Sequence, residues 1–342
     1  MADPKALRSD YLPQIDSLRA IAVLAVLIQH WYGDMIPIGT WGVAVFFVIS
    51  GFLITQSIYR LQEMGLSTSE AAKRFFLHRS LRLFPAYYLV LLIGMVAHPE
   101  LRQDWLWFVA YLSNYLVDFR QQGNSLLPTW SLAVEEQFYL LWFFALAFVP
   151  FRRLGLLIAI VAVIAPFSRF LVLAEGNKFG TYSLWANCDA LAIGAYLYYL
   201  QRQGRELPLI AKPAALILAI GCILSPFLFA KLDPLFGPFG GVVLFAVPIS
   251  AAYVIWRART GFRGVAGLVL NWSPLIYIGK ISYGIYLYHM LTRGITNDLP
   301  FFWRFGFLTH LCLTIAIAAI SYKYFESPIR YAFRNPSSSK AS

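Results

Sequence analysis

Apolar residues are concentrated in long runs that are separated by short polar stretches. A run of about 20 apolar residues is long enough to cross a bilayer as an α-helix. By this criterion the pattern predicts ten membrane-spanning helices, at residues 18–36, 41–59, 83–97, 130–150, 154–173, 185–200, 213–230, 239–256, 274–292 and 304–322. We therefore predict an all-α polytopic membrane helical bundle, in which the longest polar connections are residues 60–82 and 99–128.

An eleventh apolar segment, at residues 105–117, is rich in aromatic side chains but has only 13 residues. That length is short for a crossing and is typical of a re-entrant or interfacial segment. If this segment does not cross and the N-terminus is inside, 19 Lys and Arg residues face the inner side and six face the outer side. Because cytoplasmic loops are enriched in Lys and Arg, this distribution favours ten spans with both termini cytoplasmic.

Composition excludes a soluble globular domain and a disordered chain. Hydrophobic residues make up 59% of the 342 residues and charged residues only 13%, whereas about 25% of a soluble domain is charged. The net charge of +11 would suggest nucleic acid as the partner of a soluble protein. Here the basic residues lie between apolar runs, which is the orientation signal of a membrane protein. We therefore expect a lipid bilayer, and no nucleic acid, around the chain.

The first span carries two ionisable side chains, which are costly inside a bilayer and usually functional. Arg19 lies in its first turn and His30 follows eleven residues later, so the two share one helix face about 16 Å apart. Asp16 is the expected N-cap, and Asp34 lies one turn beyond His30. Taken alone, Arg19 is also explained as a cytoplasmic anchor, and His30 as an interhelical hydrogen-bonding group.

Two more pairs of polar residues have helical spacing. Arg79 and Arg82 are three residues apart, so on a helix they point the same way. Paired guanidinium groups suit a phosphate-bearing ligand, although ordinary positive-inside charge explains them as well. Glu135 and Tyr139 share a face of the fourth span, while Glu136 points elsewhere. Two adjacent carboxylates this close to the hydrocarbon are hard to explain by packing, although a helix N-terminus also attracts negative charge.

Later spans contain further polar residues with simpler explanations. Asp189 and His289 are each explained as structural hydrogen-bonding groups, and Glu326 as the partner of an arginine at the membrane rim. His, Cys and carboxylate residues do not occur at metal-ligand spacing on a common face with a third partner, so we expect no metal.

The order and spacing of these residues resemble the acyltransferase 3 family of membrane O-acyltransferases. The segments that carry the resemblance are 15–24 together with His30, 43–54, 79–82, 130–139, 189–194, 281–289 and 322–328. Each motif alone is weak, but their succession from about residue 11 to residue 330 is specific. Many members have an acidic residue where this chain has Ala44. Some carry an extracytoplasmic hydrolase-like domain, and we expect none here.

The resemblance implies transfer of an acyl group, most often acetyl from acetyl-CoA, to a hydroxyl of an extracytoplasmic glycan or glycolipid. Acyl-CoA is then a donor substrate, and no bound cofactor is expected. Arg19, Arg79 and Arg82 are the expected acyl-CoA ligands, and His30 acts as general base or as acyl carrier. Glu135 or Asp34 would orient the imidazole. The other candidate site residues are Asp16, Trp130, Tyr139, Asp189, His289, Tyr322 and Glu326.

The expected location is the bacterial cytoplasmic (inner) membrane. In this arrangement residues 1–12 form a cytoplasmic N-terminal tail, residues 13–330 the transmembrane acyltransferase domain, and residues 331–342 a short cytoplasmic C-terminal tail. The aromatic segment at 105–117 is a candidate outer platform for a sugar ring.

The competing interpretation is a transporter or flippase that uses the same buried charges as a proton relay. Such a protein needs no acyl-CoA and leaves its substrate chemically unchanged. A structural or sensory membrane protein explains neither Arg19 with His30 nor Arg79 with Arg82.

Overall fold

The structure, a computed structural model, describes residues 11–33, 37–120, 125–174, 180–228, 240–298 and 306–334. Within these ranges the regular structure is entirely helical and contains no strand. The predicted all-α class is therefore confirmed. Asp34 and most of the two predicted tails lie outside the described residues.

Each of the ten predicted spans contains helical structure within its described part. The α-helices are α1 (Pro13–Tyr32), α2 (Ile38–Glu63), α3 (Thr68–Ala97), α4 (Trp105–Val109), α5 (Ser113–Arg120), α6 (Thr129–Phe148), α7 (Phe151–Ala174), α8 (Cys188–Arg202), α9 (Ala211–Leu228), α10 (Gly240–Thr260), α11 (Gly264–Leu270), α12 (Ser273–Lys280), α13 (Ser282–Asp298), α14 (Gly306–Ser321) and α15 (Ser327–Arg334). A 3₁₀ turn at Pro99–Asp104 precedes α4, and a π-helical turn at Tyr322–Glu326 joins α14 to α15.

Some of these helices are long and apolar enough to cross a membrane. Among the described residues there are five such stretches: Ile38–Glu63, Thr68–Ala97, Thr129–Phe148, Phe151–Val172 and Gly306–Ala332. The chain therefore has the character of a membrane protein, and the number of ten crossings stays a prediction.

Helix α3 begins well before the predicted third span, and much of the predicted polar connection at 60–82 is helical. The backbone N–H of Glu70 donates to the Ser67 hydroxyl at 3.3 Å, and the backbone N–H of Ser67 donates to the Glu70 carboxylate at 3.0 Å. This reciprocal capping box starts a helix ahead of the apolar run. Hydropathy detects only the apolar part of the helix, so α3 begins 15 residues before the predicted span at 83–97.

The predicted ninth span, 274–292, consists of two helices instead of one. Helix α12 ends at Lys280 and α13 begins at Ser282. Just before the break, Gly279 lies so close to the Asp16 carbonyl of α1 that a Cβ atom would collide with it. This backbone contact holds the break against α1.

The surface of α7 shows which side of that helix faces lipid. Leu156, Ile160, Val163, Phe167 and Phe170 recur at intervals of three or four residues and are each 51–67% exposed. A continuous apolar stripe of this kind is unfavourable in water but favourable against hydrocarbon. The exposure pattern therefore agrees with a bilayer around the bundle.

The short aromatic segment enters and leaves the bundle on one side. Asp104 before α4 and Arg120 at the end of α5 form an ion pair at 2.6 Å. Between them, the ring of Tyr111 stacks on Tyr87 with centroids 4.3 Å apart and lies 5.6 Å from Phe84. These two α3 residues precede the C-terminal end of α3 by 10 and 13 positions, which corresponds to a depth of about 15–20 Å. The segment therefore folds back beside α3, and its re-entrant or interfacial character in the membrane stays a prediction.

Helices α2 and α8 cross in backbone contact. A Cβ atom at Gly51 of α2 would overlap the Leu191 carbonyl, and one at Gly194 of α8 would overlap the Val48 carbonyl. Small residues permit such close crossings in membrane bundles, where packing contributes much of the association energy. The reciprocal glycines therefore fix the spacing of the two helices.

Replacing Gly194 with alanine is expected to destabilise the protein by about 1–3 kcal/mol, because backbone atoms would have to move to admit the methyl group. Thermal unfolding of the purified protein in detergent should show a lower midpoint. Gly221→Ala is the matched control, since no atom lies within 4 Å of a Cβ at that position and alanine favours helix. An unchanged midpoint for Gly194→Ala would contradict the close crossing.

Candidate active site

A cavity opens between helices α1, α2, α3, α6 and α13. Its empty volume is about 800 Å³ with its open mouth included. Much of the wall is aliphatic or aromatic, and the polar groups that interrupt it are Arg19, Ser50, Arg79, Arg82, Ser131, Glu135, Tyr139, Ser282, Tyr283 and Tyr286. An apolar cavity with a few convergent polar groups is the usual form of a ligand site. We call it the inner cavity.

Three arginines converge on the inner cavity from two helices. Arg79 and Arg82 both reach it from α3, in agreement with their helical spacing, and Arg19 reaches it from α1. The Arg79 Nε atom lies 3.5 Å from Glu136 Oε1, and the Arg79 guanidinium carbon lies 3.5 Å from the centre of the Tyr139 ring. Arg79 is therefore held in a fixed orientation by a carboxylate and an aromatic face.

Glu135 and Tyr139 share the wall of the inner cavity, one helical turn apart on α6. The Tyr139 hydroxyl is hydrogen-bonded to the Ser50 hydroxyl of α2. The Glu135 carboxylate is close enough to Arg79 for electrostatic attraction, and close enough to Tyr139 and Ser50 for hydrogen bonds. The structure thus gathers a carboxylate, a phenol, an alcohol and a guanidinium at one place, where they can bind and orient a polar group of a ligand.

His30 lies beside a second histidine from a distant part of the sequence. His30 Nδ1 and His289 Nε2 are 3.0 Å apart, and His289 Nδ1 lies 2.6 Å from the Tyr286 carbonyl oxygen. Tyr286 itself lines the inner cavity, and its carbonyl oxygen makes this contact with His289. The histidine pair therefore lies directly behind the cavity wall.

The hydrogen bonds of this pair define its tautomers when both rings are neutral. A carbonyl oxygen only accepts, so His289 Nδ1 carries the proton and donates to Tyr286. His289 Nε2 then accepts from the N–H at His30 Nδ1. The lone pair of His30 is consequently at Nε2, the atom that a general base uses to take a proton.

The shared helix face of Arg19 and His30 does not place them in one cavity. Arg19 lines the inner cavity, whereas His30 packs against His289 outside the set of described lining residues. Tyr286 separates the two environments, because its side chain lines the cavity and its carbonyl binds His289.

Asp189 occupies a separate site between α7 and α8. Its carboxylate accepts from Arg169 Nη2 at 2.5 Å, and Arg169 Nη1 also donates to the Ala186 carbonyl at 2.9 Å. Both side chains of the ion pair are at least 95% buried. This arrangement agrees with the structural explanation of Asp189, since a buried charge needs a partner.

A second cavity adjoins the inner one and contains five of the sequence candidates. It is lined by Asp16, Arg19, Arg82, Lys280, Tyr283, Tyr322, Glu326 and Arg330. Arg19, Arg82 and Tyr283 belong to both cavities. We call this second space the rim cavity.

Asp16 does not cap α1 as predicted. Leu12 occupies the N-cap position because Pro13 begins the helix, and proline suits the first helical position. Asp16 instead lies within the first turn, 3.7 Å from Arg19.

Glu326 accepts a hydrogen bond from Ser321 at 3.2 Å.

The tryptophan candidates are not among the described residues that line the two cavities. Trp130 packs edge-on against Phe47 and Tyr182, with ring centroids 6.2 and 4.9 Å away. Trp105 and Trp107 of the short aromatic segment are exposed on the surface of the bundle. The outer platform for a sugar stays a prediction.

Sequence analysis did not single out several residues that shape the site. Ser50, Tyr283, Tyr286, Lys280 and Arg330 line the two cavities. Ser50 carried a usable signal, since it is a polar residue in an otherwise apolar run. Tyr283 and Tyr286 are three residues apart, which predicts a common face on α13.

Within the described ranges, no group of three or more His, Cys, Asp and Glu side chains is placed to hold a metal ion. The groups that the site offers are arginines, a carboxylate, hydroxyl groups and the histidine pair. These groups suit the binding of an anionic ligand and the removal of a proton from a hydroxyl.

Comparison with known proteins identifies relatives along most of the chain. It is 30% identical to the peptidoglycan O-acetyltransferase OatA of Listeria monocytogenes over 94% of this chain and 56% of that protein. It is 29% identical to the putative peptidoglycan O-acetyltransferase YrhL of Bacillus subtilis and to the O-acetyltransferase OatA of Staphylococcus aureus, again over 94% of this chain. The chain spans about half the length of these curated relatives, and no solved structure matches it significantly.

A family model described as an acyltransferase domain matches residues 12–323. This match includes every segment on which the sequence resemblance rests, except the last part of the motif at 322–328. The chain therefore belongs to the acyltransferase 3 family.

Proposed function

We propose that the chain is an integral membrane O-acyltransferase that moves an acetyl group from cytoplasmic acetyl-CoA to a hydroxyl of an extracytoplasmic glycan. The observation that carries the proposal is the His30–His289 pair directly behind an arginine-lined cavity. The relatives are O-acetyltransferases, two of them named for peptidoglycan. The cell-wall glycan is accordingly the first acceptor to test.

The donor binds from the inner side. Arg19, Arg79 and Arg82 converge at the end of the bundle where the charge distribution places the cytoplasm. Guanidinium groups recognise phosphate by paired, charge-assisted hydrogen bonds. The apolar wall of the inner cavity suits the uncharged pantetheine arm, which carries the thioester toward Tyr286 and the histidine pair behind it.

The acceptor hydroxyl is a weak nucleophile at neutral pH and needs a base. His30 Nε2 takes the hydroxyl proton while the hydroxyl oxygen bonds to the acyl carbon. The carbon–sulfur bond then breaks, and the CoA thiolate leaves and receives the proton from His30. His289 is a positioning residue in this scheme, because its hydrogen bond to the Tyr286 carbonyl fixes the tautomer of His30.

His30 can also act as a covalent carrier. In that route Nε2 bonds to the thioester carbon, the carbon–sulfur bond breaks, and CoA leaves as the thiolate. The acyl-imidazolium then transfers its acyl group to the hydroxyl oxygen, which restores the neutral imidazole, and the hydroxyl proton neutralises the CoA thiolate. Both routes use the same nitrogen atom and the same tautomer. They also share the requirement that the acyl group pass Tyr286, from the inner cavity to the outer half of α1.

The orientation follows from the same scheme. We place the N-terminal end of α1 and the α14–α15 turn on the cytoplasmic face of the inner membrane, and the re-entrant segment on the outer side. Donor and acceptor then approach from opposite faces, with the histidine pair between them.

Mass spectrometry of envelope glycans, from cells with and without the gene, tests the proposal. Acetylation adds 42 Da to a sugar residue and is removed by mild base. We expect this difference in glycans from cells that carry the gene and its absence from the deletion strain. A transporter would leave the glycan unmodified, so identical spectra together with altered glycan export would support that alternative.

A further inference from the structure

The rim cavity differs in chemistry from the inner cavity next to it. Its described lining residues are all charged or tyrosine, whereas the inner cavity is lined mainly by aliphatic and aromatic groups. Four of the rim residues are cations, namely Arg19, Arg82, Lys280 and Arg330, and two are carboxylates, Asp16 and Glu326. The rim cavity therefore carries an excess of positive charge.

Two of the four cations of the rim cavity, Lys280 and Arg330, lie against neutral groups. The Lys280 Nζ atom lies 5.1 Å from the centre of the Tyr11 ring, and the Arg330 guanidinium carbon lies 5.0 Å from the centre of the Tyr322 ring. Arg330 also donates to the Ser327 hydroxyl at 3.1 Å. Among the described residues, neither Lys280 nor Arg330 forms an ion pair with a carboxylate at 4.0 Å or less. Their charges are consequently positioned for an anion without being neutralised.

Two interruptions of helical geometry bring these residues together. The break between α12 and α13 places Lys280 at the cavity. The π-helical turn at Tyr322–Glu326 brings Tyr322 and Glu326 to the wall and leads into α15, which carries Arg330. Single π-helical turns occur frequently at functional sites. The site is therefore assembled from four separate parts of the chain: α1, α3, the α12–α13 break and the α14–α15 turn.

We propose that Lys280 and Arg330, together with Arg82, bind the phosphate groups of the donor nucleotide. This inference rests on the proposed function and extends it. An acyl-CoA has a polyanionic nucleotide at one end and an uncharged acyl-pantetheine arm at the other. The rim cavity matches the first and the inner cavity matches the second, and Arg82 and Tyr283 lie where the two cavities meet.

The decisive comparison uses two donors with the same thioester arm. Acetyl-CoA carries the phosphates, and S-acetylpantetheine lacks the whole nucleotide. In the double variant Lys280→Gln, Arg330→Gln, kcat/KM for acetyl-CoA should fall about 10- to 100-fold through a higher KM, since charge-assisted hydrogen bonds are lost. For S-acetylpantetheine, kcat/KM of the double variant should stay within about twofold of the value for the unmodified protein, because this donor has no phosphate for the lost charges to bind.

Lys323→Gln provides the matched control. Lys323 is an exposed cation on the same π-helical turn, and it lies over the Tyr324 ring instead of lining the rim cavity. The Lys323→Gln substitution should leave kcat/KM unchanged for both donors. If kcat/KM of the double variant falls equally for both donors, or falls for neither, the assignment is overturned.

The headgroup of an anionic lipid is a second source of phosphate at a membrane surface. Measurements in nanodiscs of phosphatidylcholine and of phosphatidylglycerol separate the two. Nucleotide recognition predicts that the double variant loses affinity for CoA in both lipids. Retained CoA affinity, with loss of a stimulation by phosphatidylglycerol, would assign the site to lipid and overturn the proposal. Failure of the proposed function can be distinguished from failure of this assignment. In the first case the unmodified protein would transfer acetyl from neither donor.

Discussion

Replacing His30 with alanine is expected to lower the rate of acetyl transfer by about 10²–10⁴-fold, the usual contribution of a positioned general base. The affinity for CoA should remain unchanged, because His30 does not lie among the described residues that line the inner cavity. Steady-state turnover and calorimetric titration with CoA, on the same purified sample, separate these two effects. The loss should therefore appear in kcat with no change in donor binding.

His310→Ala is the matched control for the removal of a buried imidazole. His310 is buried on α14, and its ring stacks on Trp31 with centroids 5.0 Å apart. Its loss should lower stability through lost packing and leave the turnover of each folded molecule near that of the unmodified protein. Unmodified turnover in His30→Ala, or an equal loss in both variants, would exclude His30 from the chemistry.

Replacing Arg79 or Arg82 with glutamine is expected to weaken CoA binding about 10- to 100-fold, because each arginine contributes charge-assisted hydrogen bonds to phosphate. Lysine should restore only part of the affinity, since an ammonium group cannot form the paired contacts of a guanidinium. The Arg79 variants should also affect the cavity wall, because Arg79 contacts both Glu136 and Tyr139. Calorimetric titration with CoA measures these differences.

Arg74→Gln tests whether position in the cavity, rather than positive charge on α3, determines the effect. Arg74 is exposed on the same helix and is absent from the described lining of both cavities. The Arg74→Gln variant should bind CoA with the affinity of the unmodified protein. If the Arg79 and Arg82 variants also keep that affinity, the two arginines serve only to orient the protein in the membrane.

Relations within one helix could be predicted from the sequence. Periodicity placed Arg79 with Arg82 and Glu135 with Tyr139, and each pair lines the inner cavity. Apolar runs also located a helix at each predicted span. These predictions succeed because hydropathy and helical spacing depend on neighbouring residues alone.

Relations between helices could not be predicted. His289 is 259 positions from His30 along the chain, and Arg169 is 20 positions from Asp189 on a different helix. Which helices pack together depends on surface shape, such as the contact of Gly279 with the Asp16 carbonyl. The π-helical turn that brings Tyr322 and Glu326 to the rim cavity has no periodic signature either. Periodicity gives the direction of a side chain on its own helix, and it does not identify the partner.

The most direct test of the account places donor and acceptor on opposite sides of one membrane. Purified protein is reconstituted into liposomes that enclose soluble cell-wall glycan fragments, and acetyl-CoA labelled in its acetyl group is added outside. Molecules whose donor site faces outward should transfer label to the enclosed glycan as a base-labile ester, with one CoA thiol released for each ester formed. The His30→Ala protein should form none, and neither should liposomes in which both substrates are outside. Equal labelling with both substrates outside, or no labelling in either arrangement, would contradict transfer across the bundle.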